Sequence, residues 1–176
     1  MTPEDKGKAF ERMVSLVLGE LKTRHLERVN FVEQPRISLY DGRVVIPDFD
    51  LRYRMHHAEE RFLIECQDRD RSRPDISDKI RTTKSLSRRD KFIFIYAETI
   101  PNSTAVALES DGVLVMKFNE FVDFVAGIDM NLSAIETQAK AAAEQARGAY
   151  SHWSPESGDS HDPWVVDEPP PGWEEK

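Results

Sequence analysis

A single cysteine, Cys66, stands among 176 residues, which excludes an internal disulfide and fits a reducing, cytoplasmic setting. Nowhere does the chain approach the roughly 18 consecutive apolar residues of a membrane helix. The amino terminus is charged and lacks a signal-peptide core, so a soluble protein with no membrane role is expected. There is no internal repeat. Apolar residues are themselves scarce: 39% is below the usual range, and part of the chain is expected to stay unfolded. An overall positive charge is also missing. The formal net charge of −8 and the pI of about 5.2 argue, by themselves, against a nucleic-acid partner. That excess is unevenly placed, however. Residues 131–176 carry three Lys+Arg against nine Asp+Glu, which leaves the body nearly neutral at 21 against 23.

What is present is organised around residues 47–67. Read as two strands and a turn, this stretch puts Asp48 and Asp50 on one strand, and Glu65 and Gln67 on the next. Side chains two apart in a strand share a face, so a hairpin brings the four onto one patch. Carboxylates held that close repel one another unless a cation or proton intervenes. Hard oxygen donors of this kind suit magnesium or manganese. The bland alternative is that Asp50 pairs with an arginine such as Arg52 or Arg54. The neighbouring His56 and His57 have no Cys or carboxylate at zinc-ligand spacing and read as turn residues. Cys66 faces the opposite way from Glu65 and, with no histidine beside it, reads as core.

Around this centre the pattern predicts an α/β protein. Residues 2–23 are a helix with an apolar stripe of Phe10, Met13, Val14, Val17, Leu18 and Leu21, and Glu11 at the edge of that stripe. Residues 29–40 and 43–55 are two strands joined at the Asp41-Gly42 turn, with Pro47 marking an edge or a bulge. Residues 56–60 make a turn and 61–67 a third strand. Pro74 and Asp75 open a helix to about Arg89. The run at 91–96 and the segment 113–118 are buried strands, the first parallel, separated by a helix over 103–111. Asn119 caps another helix. The domain is expected over 1–130, a candidate helix over 131–148, and a disordered acidic tail over 149–176. Trp153, Trp164 and Trp173 in that tail are candidate anchors for a protein partner. Between Arg61 and Lys91 lie ten basic and six acidic residues, the most positive segment of the chain. It follows directly on the acidic patch, where a phosphate-bearing substrate needs neutralising.

Four pieces in this order, Gly7 to Glu11, Pro47 to Leu51, Phe62 to Asp68 and Arg73 to Ile76, resemble the PD-(D/E)xK restriction-endonuclease-like superfamily. The likeness is strongest to its Mrr-like branch, and covers about residues 7–125. It implies a mixed sheet flanked by helices in the order α-β-β-β-α-β-α-β. It also implies hydrolysis of DNA phosphodiesters assisted by Mg2+ or Mn2+, in bacterial restriction or phage defence. Carried over by position, Asp50 matches the strand aspartate, with Asp48 as the alternative. Glu65 matches the motif glutamate, the carbonyl of Cys66 a further metal ligand, and Glu11 an acid on the first helix. Gln67 departs from the pattern, which has lysine there. Lys79 or Lys84 from the next helix is a candidate replacement, and Arg69, Arg71 and Arg73 join them as candidates for gripping DNA. The departure leaves open a weak or inactive nuclease-fold module that binds nucleic acid or a protein. A double-strand cut would call for a homodimer or paired monomers.

Overall fold

The computed structural model describes residues 3–39, 41–56, 58–68, 78–82, 84 and 91–151. Arg69, Arg71, Arg73, most of the helix expected over 75–89, and the tail with its three tryptophans lie outside the described residues. The chain divides into two compact units, 1–137 and 138–176.

The first unit is built on a five-stranded mixed sheet with helices on both faces. Helix α1 (Pro3–Arg24) leads into β1 (Val29–Glu33), then a small hairpin of β2 (Ile37–Ser38) and β3 (Val44–Val45). Strands β4 (Phe49–Met55) and β5 (Ala58–Gln67) follow, then the helical segment α2 (78–82) and β6 (Lys91–Tyr96). Helix α3 (Asn102–Ser110), β7 (Leu114–Lys117) and α4 (Phe118–Ser151) complete the order. The sheet runs β1-β4-β5-β6-β7, antiparallel on its first side and parallel from β5 onward. The α/β class and mixed sheet expected from the sequence are therefore present.

Four details differ from expectation, each for a physical reason. The strands read over 29–40 and 43–55 are each broken in two. Gln34 takes a left-handed φ of 46° and is followed by Pro35, while Pro47 lacks a ladder donor. The Asp41-Gly42 turn, with Gly42 at φ 82°, therefore closes only the β2–β3 hairpin, and β1 pairs with β4 instead. The turn before β5 is shorter than read, because His56 takes φ 51° and reverses the chain at once. Strand β7 is half-exposed rather than buried, since it forms the sheet's far edge. Finally, residue 130 is not an element boundary: α4 runs unbroken for 34 residues. Its apolar stripe reaches Ile128 and Leu132, and from Gln138 to Gly148 every residue is exposed.

Two cores follow from the strand alternation. On one face Phe49, Leu51, Phe62, Ile64, Ile93 and Ile95 meet the stripe of α1 (Phe10, Val14, Leu18, Leu21) and that of α4 (Phe121, Val125, Ile128, Leu132). On the other, Leu63, Phe92 and Phe94 pack with Ile80 of α2, Leu108 of α3 and Val113. Fully burying side chains of this size contributes about 1.5–3 kcal/mol each, which fixes the ends of β4 and β5 against both helical layers. Among the described residues, no helix is long and apolar enough to cross a membrane.

Candidate active site

The acids converge where β4 begins and β5 ends. Asp48 is stitched to β5 twice: its amide donates to the Ile64 carbonyl at 3.0 Å, and its Oδ2 accepts the Cys66 amide at 2.6 Å. Glu65, the residue between those two anchors, is 7% exposed. Its Oε1 receives Lys79 Nζ from α2 at 2.5 Å, and the same ammonium donates to the Ile46 carbonyl at 2.8 Å. Helix α1 brings Glu11 beside Asp48, the two lining one cleft.

The electrostatics tie these groups together. Burial raises the Glu65 carboxyl, the Asp48 charge raises it further, Lys79 opposes both, and Glu11 adds a smaller push, leaving it at about 7. Asp48 is also raised, by burial, against the pull of the Cys66 amide and Lys79. Glu11 is raised by burial and by Asp48. Asp48, Glu65 and Glu11 thus feel one another's charge, with Lys79 opposing the first two and Lys8 opposing Glu11. That is the like-charge arrangement that a cation relieves.

Asp50, the first choice as strand aspartate, stands apart from this group. Its buried carboxylate accepts Arg61 Nε and Nη2, both at 2.9 Å, and Arg52 Nη2 at 2.8 Å. Burial would raise its pKa, but the two guanidiniums outweigh it and the carboxyl is lowered. An acid held by two arginines already has its counter-charge, so the arginine pairing weighed as the alternative is the observed one. Of the two strand aspartates, Asp48 and not Asp50 is the one coupled to Glu65.

Gln67 is buried and shares the strand parity of Glu65. The Cys66 side chain packs against the α1 face of the core. Its thiol is raised well above the ordinary value, by burial first and then by Asp48, Glu11 and Glu65, so it stays protonated. Of the two candidate lysines, only Lys79 reaches the acids. Lys84 lies at the α3–β7 turn, where a Cβ added to Gly112 would stand 2.6 Å from its Nζ.

Sequence reasoning missed a second polar cluster. His25, at the end of α1, is 3% exposed, with Nδ1 2.9 Å from Glu136 Oε1 and Nε2 2.7 Å from Asp129 Oδ1. Both carboxylates come from α4, and Arg24 joins Asp129 at 2.7 Å. The signal was available: Asp129 and Glu136 are seven apart, two turns on one helix face.

No family model matches the chain, and no curated protein does. Among solved structures, protein VC1899 from Vibrio cholerae aligns over 68% of this chain at 10% identity, with a TM-score of 0.45. The chain spans about a third of that protein's length, the alignment covering 32% of it. A likeness of this degree carries no argument about what the site does.

Proposed function

We propose that the protein is a divalent-metal-dependent endonuclease that hydrolyses DNA phosphodiester bonds, acting in bacterial restriction or phage defence. The observation that carries the reading is the mutual coupling of Asp48, Glu65 and Glu11, with Lys79 paired to Glu65. Mutually perturbed acids of this kind cluster at functional sites.

Among the described residues, no three His, Cys, Asp or Glu side chains form a ready-made metal cage. Magnesium does not ask for one: it binds through one or two carboxylates and completes its octahedron with waters and substrate phosphates. Asp48 and Glu65 fit that open mode, with the Cys66 carbonyl as the further oxygen. Held by these residues, a divalent cation would supply polarisation of a phosphoryl oxygen and a lowered pKa for a bound water. The chain's own groups do the rest. Lys79 offsets negative charge developing on the phosphate. Gln67 orients water through its amide, and Glu11 is a further acid beside Asp48.

One observation favours a second reading, a module that binds DNA without cutting it: Gln67 occupies the usual place of lysine. Lys79 supplies the missing charge from the next helix, which weighs for chemistry. The deciding experiment is calorimetric titration of Mn2+ into wild type and Glu65→Ala, with plasmid nicking in the same buffer. The nuclease reading expects binding that is lost in the variant, together with nicking, and a loss of roughly hundredfold in nicking for Lys79→Ala. Salt-sensitive DNA binding with no nicking at any metal concentration would replace it with the second reading.

A further inference from the structure

The buried His25 stands where α1 ends against α4, and the acids at the end of the sheet make no use of it. Its backbone is fixed from both sides. The amide donates to the Leu21 carbonyl at 3.1 Å, and the carbonyl accepts the amides of Arg28 at 2.9 Å and Val29 at 2.8 Å. The ring is therefore anchored to α1 and to the turn leading into β1, while both of its side-chain partners belong to α4.

Those partners are carboxylates, which only accept. Nδ1 on Glu136 and Nε2 on Asp129 must then both donate, and only the imidazolium has two donors. Loss of one proton leaves a nitrogen lone pair facing a carboxylate oxygen beside a buried ring, so one of the two contacts must part.

The two acids are not held equally. Asp129 also accepts Arg24 Nη1 at 2.7 Å, and Arg24 is steadied in turn by Glu20. The Asp129 side chain is 23% exposed, that of Glu136 34%. The further cation of Glu136 is Arg28, whose Nε stands 3.9 Å away, beyond hydrogen-bond reach, and whose Nη1 is turned to the Arg54 carbonyl at 3.5 Å. The charged groups around the ring are thus Arg24 from α1, Arg28 from the turn, and Asp129 and Glu136 from α4. Glu136 is also the outermost of them along α4. Leu132 is the last buried residue of that helix among those described, and past it the first unit holds α4 through half-buried Ile135 and the Glu136 contact.

We propose that His25 is a proton latch on α4: doubly protonated, it pins the turn carrying Glu136 to the end of α1, and on losing the Nδ1 proton it frees that turn while Asp129 stays held. The proton leaves to solvent past the part-exposed Glu136, and the neutral ring keeps its Nε2–H on Asp129. A helix end released from packing is only marginally stable in water, so the freed turn opens its backbone hydrogen bonds.

The test is hydrogen exchange of the full chain at pH 5.5 and pH 9, read by mass spectrometry and corrected for the intrinsic dependence of exchange on pH. Protection of residues 133–137 is expected to fall about tenfold at pH 9, as loss of one charge-assisted hydrogen bond does. Residues 121–128 and β5 are expected to keep theirs. Nitrogen shifts of the His25 ring are expected to show both nitrogens protonated at pH 5.5 and Nε2 alone at pH 9. Glu136→Gln, at a part-exposed position, should give 133–137 the same protection at both pH values, and so should His25→Gln. Equal protection in wild type at the two pH values, a loss shared equally by β5, or a pH response that survives Glu136→Gln would overturn the proposal. So would a ring still doubly protonated at pH 9, or one carrying its proton on Nδ1. Neither readout involves metal, DNA or cleavage, so the latch stands or falls apart from the nuclease reading.

Discussion

Replacing Glu65 by Gln should make the protein more stable at alkaline pH. In the folded chain the Glu65 carboxyl sits at about 7, against an ordinary 4.5. The sign follows from linkage. Below pH 4.5 the group is protonated in both the folded and unfolded states and costs nothing. As pH rises through 4.5 the unfolded chain ionises while the folded one keeps its proton, so stability falls until the folded group ionises near 7. A displacement of that size corresponds to about 3 kcal/mol, fully present above pH 7. Because the side chain is only 10% exposed, solvent screening removes little of it. Gln has nearly the shape of Glu, can still accept from Lys79 through its amide oxygen, and carries no charge to repel Asp48. Urea unfolding of wild type and Glu65→Gln at pH 5 and pH 8, without metal, measures the effect. The variant is expected to gain on the order of 2–3 kcal/mol relative to wild type at pH 8 and much less at pH 5. Equal stability of the two proteins at pH 8 would refute the reasoning. It would mean that the acids relax apart, or that Lys79 satisfies Glu65 completely.

Three further outcomes follow from the same structure. Asp50→Ala, which leaves Arg52 and Arg61 facing each other without their acid, should lose about 3–5 kcal/mol of stability by urea unfolding. Manganese affinity of the folded fraction should stay at the wild-type value. His25 has both ring nitrogens on carboxylates, which requires the imidazolium. Burial opposes that form, but Glu136 and Asp129 outweigh it and raise the pKa. Its contribution is therefore complete below the ordinary 6.5 and lost as pH rises through the folded value, so His25→Gln should flatten part of the fall in melting temperature above neutral pH. Lys79→Met should raise the Glu65 pKa further, and the pH at which manganese binding becomes half-maximal should rise with it.

How much of this was legible in the sequence depends on whether a contact is set by local pattern or by tertiary register. Period-two alternation put Asp48, Asp50, Glu65 and Gln67 on one face, and the apolar stripe placed α1 correctly. Alternation could not choose between Asp48 and Asp50, because both have the same parity. The choice is made by Arg61, eleven residues from Asp50 in sequence but beside it once β4 and β5 pair with Arg52 opposite Arg61. Lys79 was one of two candidates, and only the packing of Ile80 against Leu63 turns the helix so that Lys79, not Lys84, meets Glu65. The broken strands were signalled by Pro35 and Pro47, yet the left-handed turn at Gln34 leaves no mark in residue type. Residues 118–151 looked like two helices because the apolar stripe ends near Leu132, while the backbone continues without it.

The decisive comparison is manganese-dependent plasmid nicking by wild type, Asp48→Asn and Asp50→Asn, each checked for folding by its melting curve. Nicking by wild type and by folded Asp50→Asn, abolished in Asp48→Asn, is the expected pattern. Nicking that survives Asp48→Asn but fails in a folded Asp50→Asn protein would return the metal to Asp50 and contradict the site described above.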